Sequence, residues 1–426
     1  MLSIVVICDH AHVSGGLAKV AIGSACALRR RGHRVILLAG MAPVAPELAA
    51  AGVETLCLGQ QDLLSSGGTL GAGLRAIWNT AAPRALARIL AGLDRRNAVI
   101  HIHGWSKLLS PSIVAASRRS GVALVQTLHD YVALCPNGAF FNYVGGANCP
   151  LRPLSPSCLA TNCDARHAAH KAWRVARHAV LFARAGASGD SDFIYLSEFQ
   201  RRVIAPHLPE GVRLHLVPNP VEVEKEGRAA VAQNRSFVFI GRLSREKGPE
   251  LFARAAASAG VPAVFIGDGP EEKRLRALAP EAEFTGWLDR AALTSHLRSA
   301  RALVFPSLWY ETFGLAVYEA MAHGVPAIVS DNTAPAAAIE HGVTGLRFRS
   351  GLASDLARQI TALGYDGLAE RIGGAAYARY WRAPLTLERH IDCLEEVYAR
   401  VLRRRWAAAV AMPAARPMPR SPAVPR

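Results

Sequence analysis

The chain reads as an α/β protein built from parallel strand–loop–helix–strand units. Two observations predict that class. Short apolar runs, bounded by Gly, Pro, Asn or Asp, alternate with helical stretches along most of the 426 residues. The rhythm is clearest where an apolar run, Ala302–Phe305, leads through Pro306-Ser-Leu-Trp-Tyr-Glu-Thr-Phe-Gly and a helix to a second run, Val325–Val329. A third observation is length: 426 residues is enough for two to three domains. The polar, charged stretch Val221–Asn234 reads as a linker, which puts the boundary between residues 190 and 235.

Composition narrows the class further. Hydrophobic residues make up 51% and charged residues 19%, so large buried cores are possible. No apolar run reaches the roughly 18 residues that span a bilayer. Met1-Leu-Ser-Ile-Val-Val-Ile-Cys-Asp9 has no basic n-region and no cleavage site, so it reads as a first strand and the expected location is cytoplasmic. The formal charge of +16 is uneven, with 19 Lys/Arg against 8 Asp/Glu in residues 1–190 and 30 against 25 in the remainder. Such an excess favours anionic partners: phosphates, nucleic acid or an acidic membrane face. A general arginine bias accounts for part of the excess but not for its asymmetry.

Taken in order, Ser3–Cys8 is a strand whose loop, Asp9 to Gly16, feeds a helix over Leu17–Arg31, with the next strand at Val35–Ala39. Gly15 and Gly16 let backbone approach a ligand closely at a helix start, where an anion is favoured. The pattern lacks Gly-x-Gly-x-x-Gly, which excludes the dinucleotide fingerprint. Ala98–His103 and Val122–Leu128 are strands ending in His103 and His129, and the carboxyl ends of parallel strands line the ligand crevice of open sheets. His101 and His103 also suit structural roles.

Cys135, Cys149, Cys158 and Cys163 share a loop insertion, residues 135–163, with Pro, Gly and Asn. Their spacing lacks a Cys-x-x-Cys knuckle, and three readings stand open: disulfides, which a cytoplasmic setting disfavours; a structural zinc of four thiolates; and unlinked buried thiols. A basic amphipathic helix follows, His167–Arg184, with His167, His170, Lys171, Arg174, Arg177 and His178 on one face. That face is either solvated or meets an anionic lipid surface or a phosphate-bearing acceptor. Phe193–Leu196 is a strand and Leu214–Val217 leads to Pro218-Asn-Pro-Val221.

The second domain, residues 236–384, opens with strand Ser236–Ile240 and the loop Gly241-Arg-Leu-Ser-Arg-Glu-Lys-Gly248. There Arg242 brings a forked contact for phosphate oxygens and Lys247 a mobile point charge. Glu311 and Glu319 stand eight apart, the first before a helix and the second inside it. With a helix start near Phe313, the N–H groups of Phe313, Gly314 and Leu315 lie between two acids. A helix start suited to phosphate, flanked by carboxylates suited to hydroxyls, reads as a nucleotide-sugar clamp. Two further helices, 352–363 and 366–381, precede a last helix over residues 385–405, and the Ala/Pro/Arg-rich tail 406–426 reads as disordered.

The whole string Pro306, Trp309, Glu311, Phe313, Gly314, Glu319 and Ala320-Met-Ala-His-Gly-Val-Pro326 resembles the donor signature of glycosyltransferase family 4, a Glu, seven residues, then a Glu. The Arg242/Lys247 loop, Gly267-Asp-Gly-Pro270 and Glu340-His-Gly-Val-Thr-Gly-Leu-Arg-Phe348 are similar to other motifs of that family. The resemblance implies the GT-B architecture, two doubly wound Rossmann-like domains facing a cleft. It implies an acceptor-binding first domain, 1–190, an interdomain region, 191–235, and a last helix that crosses back to the first domain. It further implies retaining transfer of a sugar from a nucleotide diphosphate sugar, UDP or GDP, to an acceptor. The basic first domain suggests that this acceptor is a glycan or a lipid-linked or phosphorylated glycan, as in surface polysaccharide assembly, at the inner face of the membrane.

By the same resemblance Arg242 and Lys247 hold the diphosphate, Glu311 the sugar hydroxyls and Glu319 the ribose. His129 contacts the sugar, and Gly15 and Gly16 face the cleft. His129, Arg242, Lys247 and Glu311 are thus the expected catalytic set, with no cofactor or catalytic metal and no nucleic-acid partner. Asp190-Ser-Asp192 matches the Asp-x-Asp of metal-dependent transferases but precedes a strand, so it reads as coincidence. A nucleotide-sugar epimerase of the same architecture and a catalytically idle binding protein remain as alternatives.

Overall fold

The apolar runs assemble into two wholly parallel sheets in the computed structural model, which describes residues 1–61 and 70–411. The first sheet has seven strands in the order β3-β2-β1-β4-β5-β8-β9. They are β1 (Ser3–His10), β2 (Arg34–Met41), β3 (Glu54–Cys57), β4 (Ala98–Ile102), β5 (Ala123–Thr127), β8 (Asp192–Tyr195) and β9 (Arg213–Leu216). Between β5 and β8 the four-cysteine insertion holds a small antiparallel hairpin, β6 (Phe141–Asn142) and β7 (Ala147–Asn148). The second sheet has six strands in the order β12-β11-β10-β13-β14-β15. These are β10 (Phe237–Ile240), β11 (Ala263–Ile266), β12 (Glu283–Gly286), β13 (Ala302–Phe305), β14 (Ala327–Ser330) and β15 (Leu346–Phe348).

Central strands buried on both faces explain why the runs are apolar throughout rather than alternating. Every residue of β13 and β14 is buried. One core surrounds the second sheet, with Phe237, Phe252, Phe265 and Phe348 among its largest buried side chains. Two cores cover the faces of the first sheet. The switch in strand order lies beside β1 in one sheet and β10 in the other, where loops diverge and open a crevice at the strands' carboxyl ends.

Three boundaries differ from the sequence reading. The interval 191–235, expected as a linker, carries β8 and β9 of the first sheet, so the first domain runs to Leu216 and the crossing begins after it. The apolar runs at Phe193–Leu196 and Leu214–Val217 stand out in the sequence, but a local run does not show which sheet it joins. The expected tail, 406–426, is helical to Ala411, because the last helix (Leu387–Ala411) continues through Trp406; residues 412–426 lie outside the described residues. Ile391, Leu394, Val397, Tyr398 and Val401 of that helix are buried in the first domain's core, at about 1.5–3 kcal/mol per fully buried large side chain as an upper bound. Finally, the helix expected to start near Phe313 starts at Leu315.

Candidate active site in the interdomain cleft

The two domains face each other across a cavity of about 1510 Å³ lined by all ten residues assigned to donor binding or catalysis: Gly15, Gly16, His129, Arg242, Lys247, Glu311, Phe313, Gly314, Leu315 and Glu319. The structure brings together what the sequence spreads over three hundred residues.

Lys247 and Glu311 meet because of a glycine. Gly248 takes φ +70°, and a Cβ there would lie 2.1 Å from the Pro306 carbonyl oxygen. Only a bare backbone can press so close to the end of β13. That contact carries Lys247, on the short turn Arg245–Lys247, to the Glu311 carboxylate, and the two form an ion pair. Glu311 is buried, and all three of its protein donors address Oε2: Lys247, Trp309 Nε1 at 3.1 Å and Ser307 Oγ at 3.4 Å. Among the described residues no protein donor reaches Oε1. The Lys247 ammonium also lies 5.0 Å from the centre of the Trp309 ring, a cation–π contact. Arg242 follows β10, is exposed on the cavity wall, and has no carboxylate within ion-pair distance among the described residues.

Gly314, at φ +81°, ends the approach to the helix Leu315–His323, and a Cβ there would meet Pro335 at 2.3 Å. The left-handed turn shifts the first helical N–H groups from Phe313–Leu315 to Leu315 and Ala316. The Val317 N–H already bonds the Gly314 carbonyl at 3.0 Å. Phe313 is buried and stacks on Tyr318, so its ring anchors the helix start. Glu319 sits one turn inside, 3.8 Å from the Lys19 ammonium of the first helix, Gly16–Arg30. Sequence reading missed Lys19; its contact crosses the domains, and no local pattern marks it. Gly16 faces Leu315 over the same gap, since a Cβ on it would lie 3.4 Å from Leu315 Cδ1.

His129 follows β5. Its ring nitrogen Nε2 is 3.0 Å from His103 Nδ1 and the two rings stack. Burial pushes the His129 pKa down to about 3, so the ring is neutral at physiological pH and can act only as a hydrogen-bonding group. His101 is structural: it bonds Tyr398 of the last helix at 2.6 Å and Thr127 at 2.7 Å. The loop 308–312 is clasped by the first domain beside Glu311. Thr312 Oγ1 donates to the His129 carbonyl at 3.0 Å, and Tyr131 donates to the Tyr310 carbonyl at 2.8 Å.

The basic helix spans Ala168–Ala185, and its charged face is not a solvated one. Lys171, Arg177 and His178 are buried, and Arg174 bonds the Asn137 carbonyl and Asp164. Its cations pack on the insertion and the cleft wall. A hydrophobic stripe of mostly alanine is too weak to claim the core, so the longer side chains bury their stems instead.

The four cysteines are free thiols, three of them buried. Among the described residues, no group of three or more His, Cys, Asp or Glu is placed to hold a metal ion. The Lys171 ammonium lies 3.2 Å from Cys163 Sγ and 3.8 Å from Cys158 Sγ. Asp192 of the Asp-x-Asp string is buried against His215, Arg213 and Arg404, with its carboxyl lowered to about 2 by their hydrogen bonds despite burial. Among the described residues no helix is long and apolar enough to cross a membrane.

Residues 221–379 match the family described as glycosyl transferases group 1, and residues 15–220 match the glycosyl transferase 4-like domain. A GDP-mannose-dependent alpha-mannosyltransferase of Corynebacterium glutamicum is 41% identical over 108 residues, covering 25% of this chain and 26% of its own. The protein of that name in Mycolicibacterium smegmatis is 35% identical over 167 residues, covering 38% and 43%. The chain therefore spans less than half the length of these two relatives. D-inositol 3-phosphate glycosyltransferase 1 of Catenulispora acidiphila is 26% identical, covering 64% of this chain and 66% of its own. In fold, the chain is similar to Anabaena HepE solved with UDP and glucose, at TM-score 0.63 and 18% identity, covering 94% of this chain and 100% of that one. It is also similar to sucrose-phosphate synthase from Thermosynechococcus elongatus, at TM-score 0.67 and 18% identity, covering 96% and 100%.

Proposed function

Since the chain belongs to glycosyltransferase family 4, with the GT-B fold, we propose that it moves a hexosyl group from a nucleotide diphosphate sugar to a glycan or lipid-linked glycan, with retention of configuration. The observation that carries this reading is the convergence of Arg242, Lys247, Glu311, Glu319 and the helix start at Leu315 on one cavity. The relatives named as GDP-mannose-dependent favour GDP-mannose as donor, ahead of UDP sugars.

In the proposed reaction the bond from sugar C1 to the diphosphate oxygen breaks, and C1 bonds the acceptor hydroxyl oxygen on the same face. The hydroxyl proton passes to the departing diphosphate. Arg242, Lys247 and the N–H groups at Leu315 and Ala316 meet the charge growing on that diphosphate, a preorganised electrostatic contribution. Lys247 exchanges its Glu311 partner for phosphate oxygen, while Glu311 Oε1 takes a sugar hydroxyl. Glu319 takes ribose hydroxyls. Neutral His129 hydrogen-bonds the sugar. Arg242 and Lys247 supply positive charge at the leaving group, so the reaction needs no metal or other cofactor and should persist in chelator. A role in surface polysaccharide assembly, at the cytoplasmic face of the membrane, fits a sugar acceptor carried on lipid.

A thermal-shift screen of GDP-mannose, GDP-glucose, UDP-glucose and UDP-galactose tests the donor, with GDP-mannose expected to give the largest rise. Donor consumption with and without acceptor extracts separates transfer from epimerisation and from idle binding. If none of these nucleotide sugars is bound or consumed, the proposal fails.

A further inference from the structure

The four-cysteine insertion has a charged centre that the transfer reaction does not use. Lys171 is 4% exposed, and its ammonium donates to Cys163 Sγ at 3.2 Å and to Cys158 Sγ at 3.8 Å. The cleft lysines Lys19 and Lys247 face the carboxylates of Glu319 and Glu311, whereas Lys171 has no carboxylate within ion-pair distance among the described residues. Burial acts to lower its pKa, but the hydrogen bond to Cys163 and the nearby sulfurs of Cys163, Cys158 and Cys135 hold it above the ordinary value, so the cation persists. Cys163 Sγ also accepts Asn137 Nδ2 at 3.4 Å, and Cys135 Sγ donates to the Asn137 Oδ1 at 3.3 Å, which fixes the amide. Burial pushes the Cys135 and Cys149 thiols up and makes them poor attacking groups.

A thiol addressed by an ammonium is set up to react as a sulfur nucleophile, and a neighbouring thiol is what resolves its oxidised form. Cys158, on the short helix Pro156–Ala160, is five positions from Cys163 and shares its lysine. Cys163 is buried but follows exposed Asn162, so a short path separates it from solvent. We propose that Cys163 is a site of oxidation by peroxide, that Cys158 is its resolving thiol, and that the resulting disulfide loosens the insertion's tie to the second domain. The Cys163 sulfur attacks one peroxide oxygen: S–O forms, O–O breaks, and the thiol proton leaves with the other oxygen as water. The Cys158 sulfur then attacks the sulfur of the Cys163 sulfenic acid: S–S forms, S–O breaks, and the second thiol proton leaves in a second water. Two thiols thus lose two electrons, one hydrogen peroxide becomes two waters, and a dithiol reverses the change by exchange. Lys171 steadies the charge on the attacking sulfur and the departing oxygen. The tie runs through Tyr143, whose N–H donates to the Cys163 carbonyl at 3.2 Å and whose carbonyl accepts Arg245, two residues before Lys247. Drawing Cys163 towards Cys158 slackens it.

The test treats the full chain with hydrogen peroxide and maps its thiols by mass spectrometry. The proposal expects a loss of about 2 Da, the two thiol hydrogens, in a peptide pair joining Cys158 to Cys163, restored by dithiothreitol. In Cys158→Ser, dimedone should trap the sulfenic acid at Cys163. Lys171→Met keeps the length and removes the charge; it should slow Cys163 oxidation about tenfold or more, while half-buried Cys57, outside the insertion, keeps its wild-type rate. Amide exchange across residues 141–148 should quicken on oxidation and recover on reduction. The proposal is overturned if Cys163 reacts no faster than Cys57, if it joins any group other than Cys158, if Lys171→Met leaves its rate unchanged, or if exchange is unaltered. None of these readouts depends on which sugar nucleotide binds.

Discussion

Glu311 receives its three protein donors on one oxygen, which leaves the other for substrate and makes Lys247 a movable partner. Lys247→Ala is therefore expected to cut turnover about 10²- to 10³-fold, the size seen when one preorganised donor to a developing oxyanion is lost. Thermal melting of the same variant guards against a trivial cause, since it also strips a buried carboxylate of its counter-ion. Glu319→Ala should weaken nucleotide binding about tenfold or more with a smaller effect on turnover, because a charged hydrogen bond to ribose is lost in ground and transition states alike. Equal loss in kcat and none in binding would contradict that role. The two glutamates were legible because both stand within one strand–loop–helix unit. Lys19 and Arg177 were not, because their meaning comes from what lies across the cleft or from burial that a basic helix pattern conceals.

At the scale of elements, two left-handed glycines fix where the chemistry sits. Gly248→Ala adds the αL penalty of about 1–2 kcal/mol to a clash with the Pro306 carbonyl, so a drop in Tm of several degrees and lost activity are expected together. An unchanged Tm would show that the turn tolerates a Cβ and that Lys247 is held otherwise. The helix beginning at Leu315 rather than Phe313 follows from the same physics at Gly314, and helix starts are the least legible part of any sequence. The cysteine insertion shows the opposite limit. Its residues could be read but its geometry could not, because spacing alone does not tell whether thiols converge on a point or surround a lysine. Purified protein is expected to carry less than about a tenth of an equivalent of zinc; near-stoichiometric metal would contradict the observed arrangement.

For the whole molecule, burial keeps five histidines of the first domain and the last helix neutral. Burial holds His129 and His178 at about 3 and His390 at about 4, and pushes His101 and His103 well below the usual value. Unfolding returns each to the ordinary value near 6.5, so between those limits the unfolded chain binds more protons. Their stabilising contribution is complete above pH 6.5 and is lost as pH falls towards 3–4, at about 1.4 kcal/mol per pH unit for each titrating histidine. Melting temperature should decline from pH 6.5 to 4; a flat profile would contradict neutral burial. The parallel α/β class was legible because central strands are apolar on both faces. The extent of the first domain was not, because the runs that become β8 and β9 do not show by themselves that they complete the first sheet.

The central claim is that one interdomain cleft grips a nucleotide diphosphate sugar through the diphosphate. Calorimetric titration of GDP-mannose into the wild-type chain and into Arg242→Ala/Lys247→Ala tests it directly. The account predicts one saturable site per chain, weakened by a hundredfold or more in the variant, since two charged contacts of about 1.5–3 kcal/mol each are removed. Equal affinity in both proteins, or no binding to the wild-type chain by GDP-mannose or any UDP sugar, would contradict it.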